Sequence, residues 1–186
     1  MKIYFSGSVH NKGVDLDLYR KIVEELRREG HKVQAGHILN VPMEIVENKE
    51  LGFRKDYYKK LIQRIEAADA MVCETSYPST INIGHEITLA LDRGKPILAL
   101  YLPEREPRTL LGIESEKFTL MEYTEETIRE ILSYWLEEAR NFLESRFTMI
   151  LTSKIKTYLN EIAKSGTSRS DYIRNLILKD MKKERK

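Results

Sequence analysis

Two carboxylates in residues 67–86 (AADAMVCETSYPSTINIGHE) are candidates for chemistry. Asp69 stands just before an apolar run that predicts a buried strand over 70–74, and Glu86 stands in the first turn of the helix predicted to follow. A turn-rich connection over 75–82 separates them. Because ligands of an open parallel sheet bind where strands end and helices begin, Glu86 is placed for chemistry rather than for solubility.

These polar residues also have structural interpretations, which the residues alone leave open. Asp69 could cap a strand end, and Glu86 could be a first-turn carboxylate stabilised by the helix dipole. His85 is interpreted as a residue that packs or that supports a neighbouring site residue, whereas His37 could equally contact a ligand. Tyr4, in the first strand, is by pattern alone a core residue.

Composition bounds the class of protein. A chain of 186 residues with 41% hydrophobic and 32% charged residues can bury one core and carry a small appendage. No apolar run approaches the ~20 residues that span a membrane, and the N-terminus MKIYFSGS fits no signal peptide, so we predict a cytoplasmic protein without a membrane partner. The single cysteine, Cys73, excludes an intramolecular disulfide, and no Cys/His cluster predicts a metal site.

Strands and helices alternate along the first 143 residues. Gly, Ser and Asn residues over 7–13 follow the first strand, where backbone N–H groups could bind a phosphate or sugar, or form an ordinary turn. They match neither GxGxxG nor the P-loop. We predict a five-stranded parallel α/β sheet, flavodoxin- or Rossmann-like, in the order 2-1-3-4-5. The predicted strands are 2–6, 31–35, 70–74, 96–102 and 118–123, and the helices are 14–29, 54–67, 83–93 and 124–143, with an irregular stretch over 36–53.

The last 42 residues differ in charge from the rest. From Ser145 onward there are 11 Lys and Arg against 4 Asp and Glu, whereas residues 1–144 carry 20 against 25. An acidic body with a basic tail predicts that only the tail meets a polyanion. A strand over 146–151 and two helices over 154–164 and 168–181 are too little to enclose a core, so a second copy is expected to pair with it.

The segments FTMILT, SKIKTYLNEIAK and TSRSDYIRNLI resemble the ribbon-helix-helix DNA-binding family. The resemblance implies a dimerisation and DNA-binding domain over 145–186, whose paired strands enter the major groove of double-stranded DNA. Ile150 departs from the polar base-reader usual in that family, so the ribbon could serve dimerisation alone. The resemblance implies base contacts from Arg146, Thr148 and Ile150, and phosphate contacts from Thr167, Ser168 and Arg169.

The segments IYFSGS, AADAMVCET, YPS and GHE, with His37 after the second strand, resemble the nucleoside 2-deoxyribosyltransferase family. They come closest to its branch that hydrolyses 2′-deoxynucleoside 5′-monophosphates. The resemblance covers residues 1–143 and implies an N-glycosidase or deoxyribosyltransferase that needs no metal or redox cofactor. It implies that Glu86 attacks C1′ of the deoxyribose, that Asp69 is an acid or orienting group near the base, and that Tyr4 positions the nucleophile. Substrate contacts are implied for Gly7, Ser8, His10, His37, Ser79 and Gly84.

Four departures from that family concern the choice of substrate. His10 stands where the hydrolase branch has an arginine, and Leu61 stands where it has an acidic residue. Leu110 or Leu111 replaces a serine that a neighbouring subunit contributes, and the loop over 78–86 is one residue longer. The alternative function is therefore a non-catalytic, nucleotide-sensing ribbon-helix-helix transcriptional regulator. Either protein is expected to be a homodimer or a larger homo-oligomer.

Overall fold

The computed structural model describes residues 1–8, 12–40, 42, 45, 47–144, 149–164 and 168–183. The chain divides into two compact units, Met1–Ser145 and Arg146–Lys186. Four residues to which the sequence assigned contacts lie outside the described residues: His10, Arg146, Thr148 and Thr167.

The first unit is built on one five-stranded sheet. Its strands are all parallel and run in the order β2-β1-β3-β4-β5, which confirms the predicted order. The chain order reverses between the neighbours β1 and β3, so their carboxyl ends form the crevice where such sheets bind ligands. The strands are β1 Lys2–Ser6, β2 Lys32–Gln34, β3 Ala70–Glu74, β4 Ile97–Tyr101 and β5 Phe118–Glu122.

Seven helices and one short 3₁₀ turn, Leu110–Gly112, accompany the strands in the described ranges. None of the helices in those ranges is long and apolar enough to cross a membrane. The helices are α1 Lys12–Arg28, α2 Gly36–Leu39, α3 Leu51–Ala67, α4 Ile81–Asp92, α5 Ile128–Glu144, α6 Ser153–Lys164 and α7 Arg169–Lys183.

Apolar side chains cover both faces of the sheet, as a parallel sheet requires. Because side chains alternate along a strand, Ile3 and Phe5 of β1 face one side, and Tyr4 faces the other. The first side packs against α1 and α5, and the second packs against α3 and α4. The alternation therefore decides that Tyr4 shares a face with α4.

Local chemistry sets several helix ends. Gly30 after α1 and Gly94 after α4 have positive φ angles of 81° and 67°, the left-handed conformation that a helix C-terminus often needs and that glycine adopts without strain. Before α5, the hydroxyl of Thr124 accepts a hydrogen bond from the Thr127 backbone N–H at 3.4 Å, and the Thr127 hydroxyl accepts one from the Thr124 N–H at 2.9 Å. These two bonds cap the helix just before its first residue, Ile128, which lies four residues later than the predicted start at 124.

The stretch predicted as irregular over 36–53 is partly helical. It contains α2, and α3 begins at Leu51, three residues earlier than predicted. The sequence did not reveal α2, because a helix of four residues is too short to show an apolar period. It did not reveal the first turn of α3, because Leu51 and Gly52 are exposed and do not extend the apolar row of that helix.

The second unit contains the two predicted helices, α6 and α7. The Thr152 hydroxyl accepts a hydrogen bond from the Ile155 backbone N–H at 3.4 Å and so caps α6. The hydroxyls of Tyr158 and Tyr172 join the two helices at 2.8 Å. Residues 149–152 are not in a strand, and 145–148 lie outside the described residues. A ribbon forms its ladder with a partner's strand, which a single chain does not offer, so the ribbon-helix-helix domain stays a prediction.

Candidate active site

Tyr4 and Glu86, 82 residues apart in the chain, meet between the sheet and α4. The Tyr4 hydroxyl donates a hydrogen bond of 2.9 Å to Oε2 of Glu86. Tyr4 is fully buried, and Glu86 is 8% exposed. Since α4 begins at Ile81, Glu86 lies in its second turn, so the interpretation as a first-turn carboxylate is wrong. The contact leaves one carboxylate oxygen, Oε1, outside this bond.

The charge of Glu86 is balanced between burial and polar neighbours. Burial raises the pKa of the Glu86 carboxyl, while the hydroxyls of Ser6 and Tyr4 and the positive charges of His85 and Arg64 work to lower that pKa. The buried Ser6 hydroxyl lies close enough to this carboxylate to lower its pKa, although no hydrogen bond of normal geometry joins that hydroxyl to a described residue. Burial and the nearby Glu86 raise the pKa of Tyr4, so its phenol keeps the proton that it donates. The site thus holds a desolvated carboxylate with a fixed donor.

His37 lies against the other side of Tyr4. The two rings stack, with centroids 4.8 Å apart and planes 13° from parallel. Burial, with a smaller contribution from Arg64, lowers the pKa of His37 to about 3, so the imidazole is neutral at physiological pH. Its Nε2 is buried without a hydrogen-bond partner in the described ranges, as is Nη1 of Arg64. His37 therefore supports Tyr4 and keeps one nitrogen available.

A cavity of about 520 Å³ opens at Glu86. Its volume is within the range of pockets that bind small molecules. Tyr57 and Tyr58 of α3 supply aromatic surface, and Glu86 is the only carboxyl group among the described residues that line it. The lining residues are Gly7, Ile38, Leu51, Arg54, Lys55, Tyr57, Tyr58, Leu61, Thr80, Asn82, Ile83, His85 and Glu86.

A second cavity, of about 380 Å³, shares Tyr57 with the first. His37, Asp56 and Arg64 are among its lining residues. Tyr57 therefore borders both cavities, and burial and the nearby Glu86 raise the pKa of its hydroxyl. The His37 imidazole thus lines a ligand-sized space beside the one at Glu86.

The loop after β1 contributes Gly7 and Ser8. A Cβ on Gly7 would lie 2.9 Å from the Tyr19 ring, so the close approach of loop and helix needs glycine. The Ser8 hydroxyl is buried without a hydrogen-bond partner among the described residues, while its carbonyl accepts a bond of 3.3 Å from the Tyr19 hydroxyl. The loop therefore presents an unused polar atom at the carboxyl end of β1.

Ser79 and Gly84 border a different cavity. This space, of about 630 Å³, is also lined by Tyr77 and Pro107, and it shares His85 with the cavity at Glu86. Ser79 is exposed, and the Tyr77–Pro78 peptide bond before it is cis. Neither residue lines the Glu86 cavity, so the structure places them on the outer side of the β3–α4 connection.

Asp69 lies at the opposite edge of the sheet from the site. Its carboxylate accepts a hydrogen bond of 2.7 Å from the Lys2 backbone N–H, and its own N–H donates to the Lys2 carbonyl at 2.8 Å. These bonds fix it at the amino ends of β1 and β3. The structure does not bring Asp69 and Glu86 together, and this corrects the acid or orienting role expected for Asp69.

A second buried carboxylate, Glu74, lies on the other face of the sheet. Ser76 donates to it through both its hydroxyl and its backbone N–H, and the Glu74 Oε2 is buried without a hydrogen-bond partner in the described part of the chain. Burial, with a contribution from Asp15, raises the pKa of Glu74 to about 7. Arg105 binds both oxygens of Asp15, at 3.0 and 2.9 Å, and donates to the Tyr77 carbonyl at 2.8 Å.

Sequence reasoning missed two groups that surround Glu86, although signals for both were present. Ser6 follows Tyr4 by two residues and so shares its face of β1. Arg64 follows Tyr57 by seven residues and so lies on the same face of α3. No comparable signal links Asp15 with Arg105, which are 90 residues apart.

Metal chemistry finds no ready ligand set in the described ranges. Those ranges contain no group of three or more His, Cys, Asp or Glu side chains that could hold a metal ion.

Comparisons with known proteins place this arrangement in context. No protein-family profile matches the chain. A Nematostella vectensis protein named "Putative 2′-deoxynucleoside 5′-phosphate N-hydrolase 1" is 33% identical over 138 residues, which are 70% of this chain and 90% of that protein. The 5-hydroxymethyl-dUMP N-hydrolase of Mus musculus is 30% identical over 140 residues, 73% of this chain and 79% of its own. The solved structure of Clostridium botulinum CMP N-glycosidase, BcmB, aligns at a TM-score of 0.48 and 16% identity over 72% of this chain and 99% of that one.

Proposed function

Because the chain belongs to the nucleoside 2-deoxyribosyltransferase family, with relatives named 2′-deoxynucleoside 5′-phosphate N-hydrolases, we propose that it hydrolyses the N-glycosidic bond of 2′-deoxynucleoside 5′-monophosphates with Glu86 as nucleophile. The predicted class of enzyme, one that cleaves N-glycosidic bonds, is confirmed by these relatives. The substrate, the nucleophile and the remaining site residues belong to the proposal.

The hydrogen bond between Tyr4 and Glu86 at the wall of the cavity carries this proposal. A carboxylate oxygen of Glu86 attacks C1′ of the deoxyribose while the C1′–N bond breaks and its electron pair passes to the base. A 2-deoxyribosyl centre readily reaches an oxocarbenium-like transition state, which a nearby carboxylate stabilises and then traps as a glycosyl ester. Water attacks C1′ in the second step and releases the sugar with net retention.

Glu86 has to be ionised to attack. Burial disfavours the charged form, and the donors around the carboxylate offset that cost by lowering the pKa of Glu86. The Tyr4 phenol donates to Oε2, which leaves Oε1 outside that bond and available for C1′. This division of the two oxygens is what a positioned nucleophile requires.

The 5′-phosphate is proposed to bind at the loop after β1. Ser8 offers a buried hydroxyl there that has no hydrogen-bond partner among the described residues, and Gly7 lets the backbone approach closely. His10 belongs to the same loop by sequence, and Nε2 of His37 has no hydrogen-bond partner in the part of the chain that the structure describes. Ser79 and Gly84, on the outer side of the β3–α4 connection, are proposed to contact the substrate once a second copy closes that side.

The test is release of free base from each deoxynucleoside and each deoxynucleoside 5′-monophosphate, followed by chromatography. We expect the monophosphates to be the better substrates and Glu86→Gln to lower release at least about 10³-fold. Glu137→Gln removes an exposed carboxylate on α5 and is the matched control, with activity unchanged. Release that survives Glu86→Gln within tenfold contradicts the nucleophile. Addition of a second free base separates hydrolysis from deoxyribosyl transfer.

The second candidate function is DNA binding by residues 145–186, with or without catalysis. Two observations favour it: the net positive charge of this tail, and the exposure of Ile150, which is 98% exposed in the single chain. Two helices cannot bury their own apolar side chains, so pairing with a second copy would cover them. The proposed DNA contacts remain Arg146, Thr148, Ile150, Thr167, Ser168 and Arg169.

A gel shift on duplex DNA at several salt concentrations tests the tail. We expect binding that weakens steeply with salt and is lost on truncation after Leu143. Arg169→Ala is expected to reduce the salt slope by about 1, as for one lost phosphate contact. Equal shifts by the full and truncated chains contradict the DNA contact, and a monomer by light scattering at micromolar concentration contradicts the homodimer.

A further inference from the structure

Cleavage of the C1′–N bond requires a group that donates a proton to the departing base. A base that leaves with the electron pair of the C1′–N bond has to take up a proton, commonly from a carboxylic acid. Among the described residues, the lining contains no carboxyl group besides Glu86, which is already committed as nucleophile. Asp69 is fixed at the other edge of the sheet by Lys2. The acid must therefore be a different kind of side chain.

Five side chains of the described lining carry a proton on nitrogen or oxygen in a titratable group: Arg54, Lys55, Tyr57, Tyr58 and His85. Arginine and lysine release their protons only at high pH. Tyr57 holds its proton more tightly than a free tyrosine, because burial and Glu86 oppose the phenolate. Histidine is the side chain that gives and takes a proton near neutral pH. The chemistry of the lining thus favours His85.

His85 is held in place by Tyr58 across the cavity wall. The Tyr58 hydroxyl and Nε2 of His85 are 3.0 Å apart, and either atom can be the donor. The two rings also stack, with centroids 5.7 Å apart and planes 22° from parallel. Two contacts from α3 therefore fix an imidazole that α4 places one residue before Glu86. His85 is exposed, so these two contacts do not serve to bury its side chain. They fix the position of the ring instead.

We infer that His85 is the general acid and base of the reaction and that Tyr58 is its positioning residue, an inference that rests on the function proposed above. In the first step the His85 imidazolium gives its proton to the departing base as Glu86 bonds to C1′. In the second step the neutral imidazole takes a proton from the attacking water, and the ester bond returns its electron pair to Glu86. The sum is substrate plus water giving sugar phosphate plus free base, with both side chains restored.

A substrate whose base leaves without a proton separates this role from a structural one. In 2′-deoxy-7-methylguanosine 5′-monophosphate the methylated base carries a positive charge and departs as a neutral molecule. We expect His85→Gln to lower kcat for ordinary deoxynucleotides by about 10²-fold or more, and kcat for the methylated substrate by no more than threefold. Tyr58→Phe is expected to lower the first rate by a smaller factor and to lower the second rate no more than His85→Gln does. Glu86→Gln is expected to abolish both.

Three results overturn the inference. Equal losses on both substrates in His85→Gln show a structural role, and an unchanged rate on ordinary deoxynucleotides shows that another group gives the proton. Wild-type protein that cleaves neither substrate removes the proposed function itself, and the inference with it. Thermal unfolding of His85→Gln within a few degrees of wild type excludes a folding defect, which the exposed position of His85 leads us to expect.

Discussion

Glu86 and Glu74 are both buried carboxylates next to β3, but they lie on opposite faces of the sheet. Glu86 meets a hydroxyl donor on one oxygen and a ligand-sized cavity beyond it. Glu74 is 1% exposed, is bound by Ser76, and shares its surroundings with Asp15. Burial raises the pKa of both carboxyls. Burial therefore does not distinguish the proposed nucleophile from Glu74, whereas the cavity that Glu86 lines does.

The face of the sheet that carries Glu74, here called the Glu74 face, also helps to position the site. Ser76, two residues after Glu74 in the β3–α4 connection, accepts a hydrogen bond from the Leu102 backbone N–H at 2.8 Å. Arg105 holds the same connection at Tyr77, through its side chain and through its carbonyl, which accepts from the Tyr77 N–H at 2.8 Å. The Glu74 face thus fixes the loop that leads into the helix of Glu86.

Breaking the ion pair between Arg105 and Asp15 is expected to have the largest effect on the free energy of unfolding. Arg105→Ala leaves the Asp15 carboxylate, 1% exposed, without its partner. An uncompensated buried charge costs about 3 kcal/mol or more in the free energy of unfolding. Urea unfolding at pH 7 measures the loss.

The double variant Asp15→Asn with Arg105→Ala is the matched control for that prediction. It removes the buried charge together with its partner, so we expect much of the lost stability to return. If Arg105→Ala abolished base release without lowering stability, the structural role given to the Glu74 face and the catalytic role proposed for the Glu86 face would both be wrong.

Glu74 is expected to make stability fall as the pH rises. Its folded pKa of about 7 lies above the value of 4.5 for an unperturbed glutamate, so the folded state holds the proton over that interval and the unfolded state has released it. Stability attributable to this group is therefore present at low pH and is lost between about pH 5 and 8, by about 2–3 kcal/mol. Denaturant unfolding across that range is expected to show a shallower decline for Glu74→Gln, and an identical slope contradicts the shifted pKa.

The fold could be read from the sequence because its signals are local. Apolar runs and glycines placed the strands and helices, and β3 was predicted with its observed bounds. The short helix α2 could not be, since four residues carry no period. The order of strands followed from alternating elements joined by right-handed crossovers.

The site was only partly predictable, because its contacts span long distances in the chain. The pairing of Tyr4 with Glu86 came from a family resemblance rather than from spacing. Asp69 looked like a partner of Glu86 because both flank one strand–loop–helix unit, yet a strand carries its two ends to opposite edges of the sheet. The interpretation of His85 stayed open between packing and support of a site residue, since the sequence does not show that Tyr58, 27 residues earlier, lies beside it.

Tyr4→Phe tests the face of the sheet that carries Glu86, and it removes only one hydroxyl group. It removes the hydroxyl that donates to Glu86 and keeps the ring that stacks on His37. A hydrogen bond to a charged group contributes about 1.5–3 kcal/mol, so we expect base release to fall by about 10- to 100-fold. The Tyr4 hydroxyl lowers the pKa of Glu86, so its loss raises that pKa, and the acid limb of the pH–rate profile is expected to move to higher pH. A lower rate with an unmoved acid limb would mean that Tyr4 does not act through the carboxylate. The matched change on the opposite face of the sheet is Tyr19→Phe, which removes a hydrogen bond to the Ser8 carbonyl. It is expected to leave the acid limb of the pH–rate profile in place.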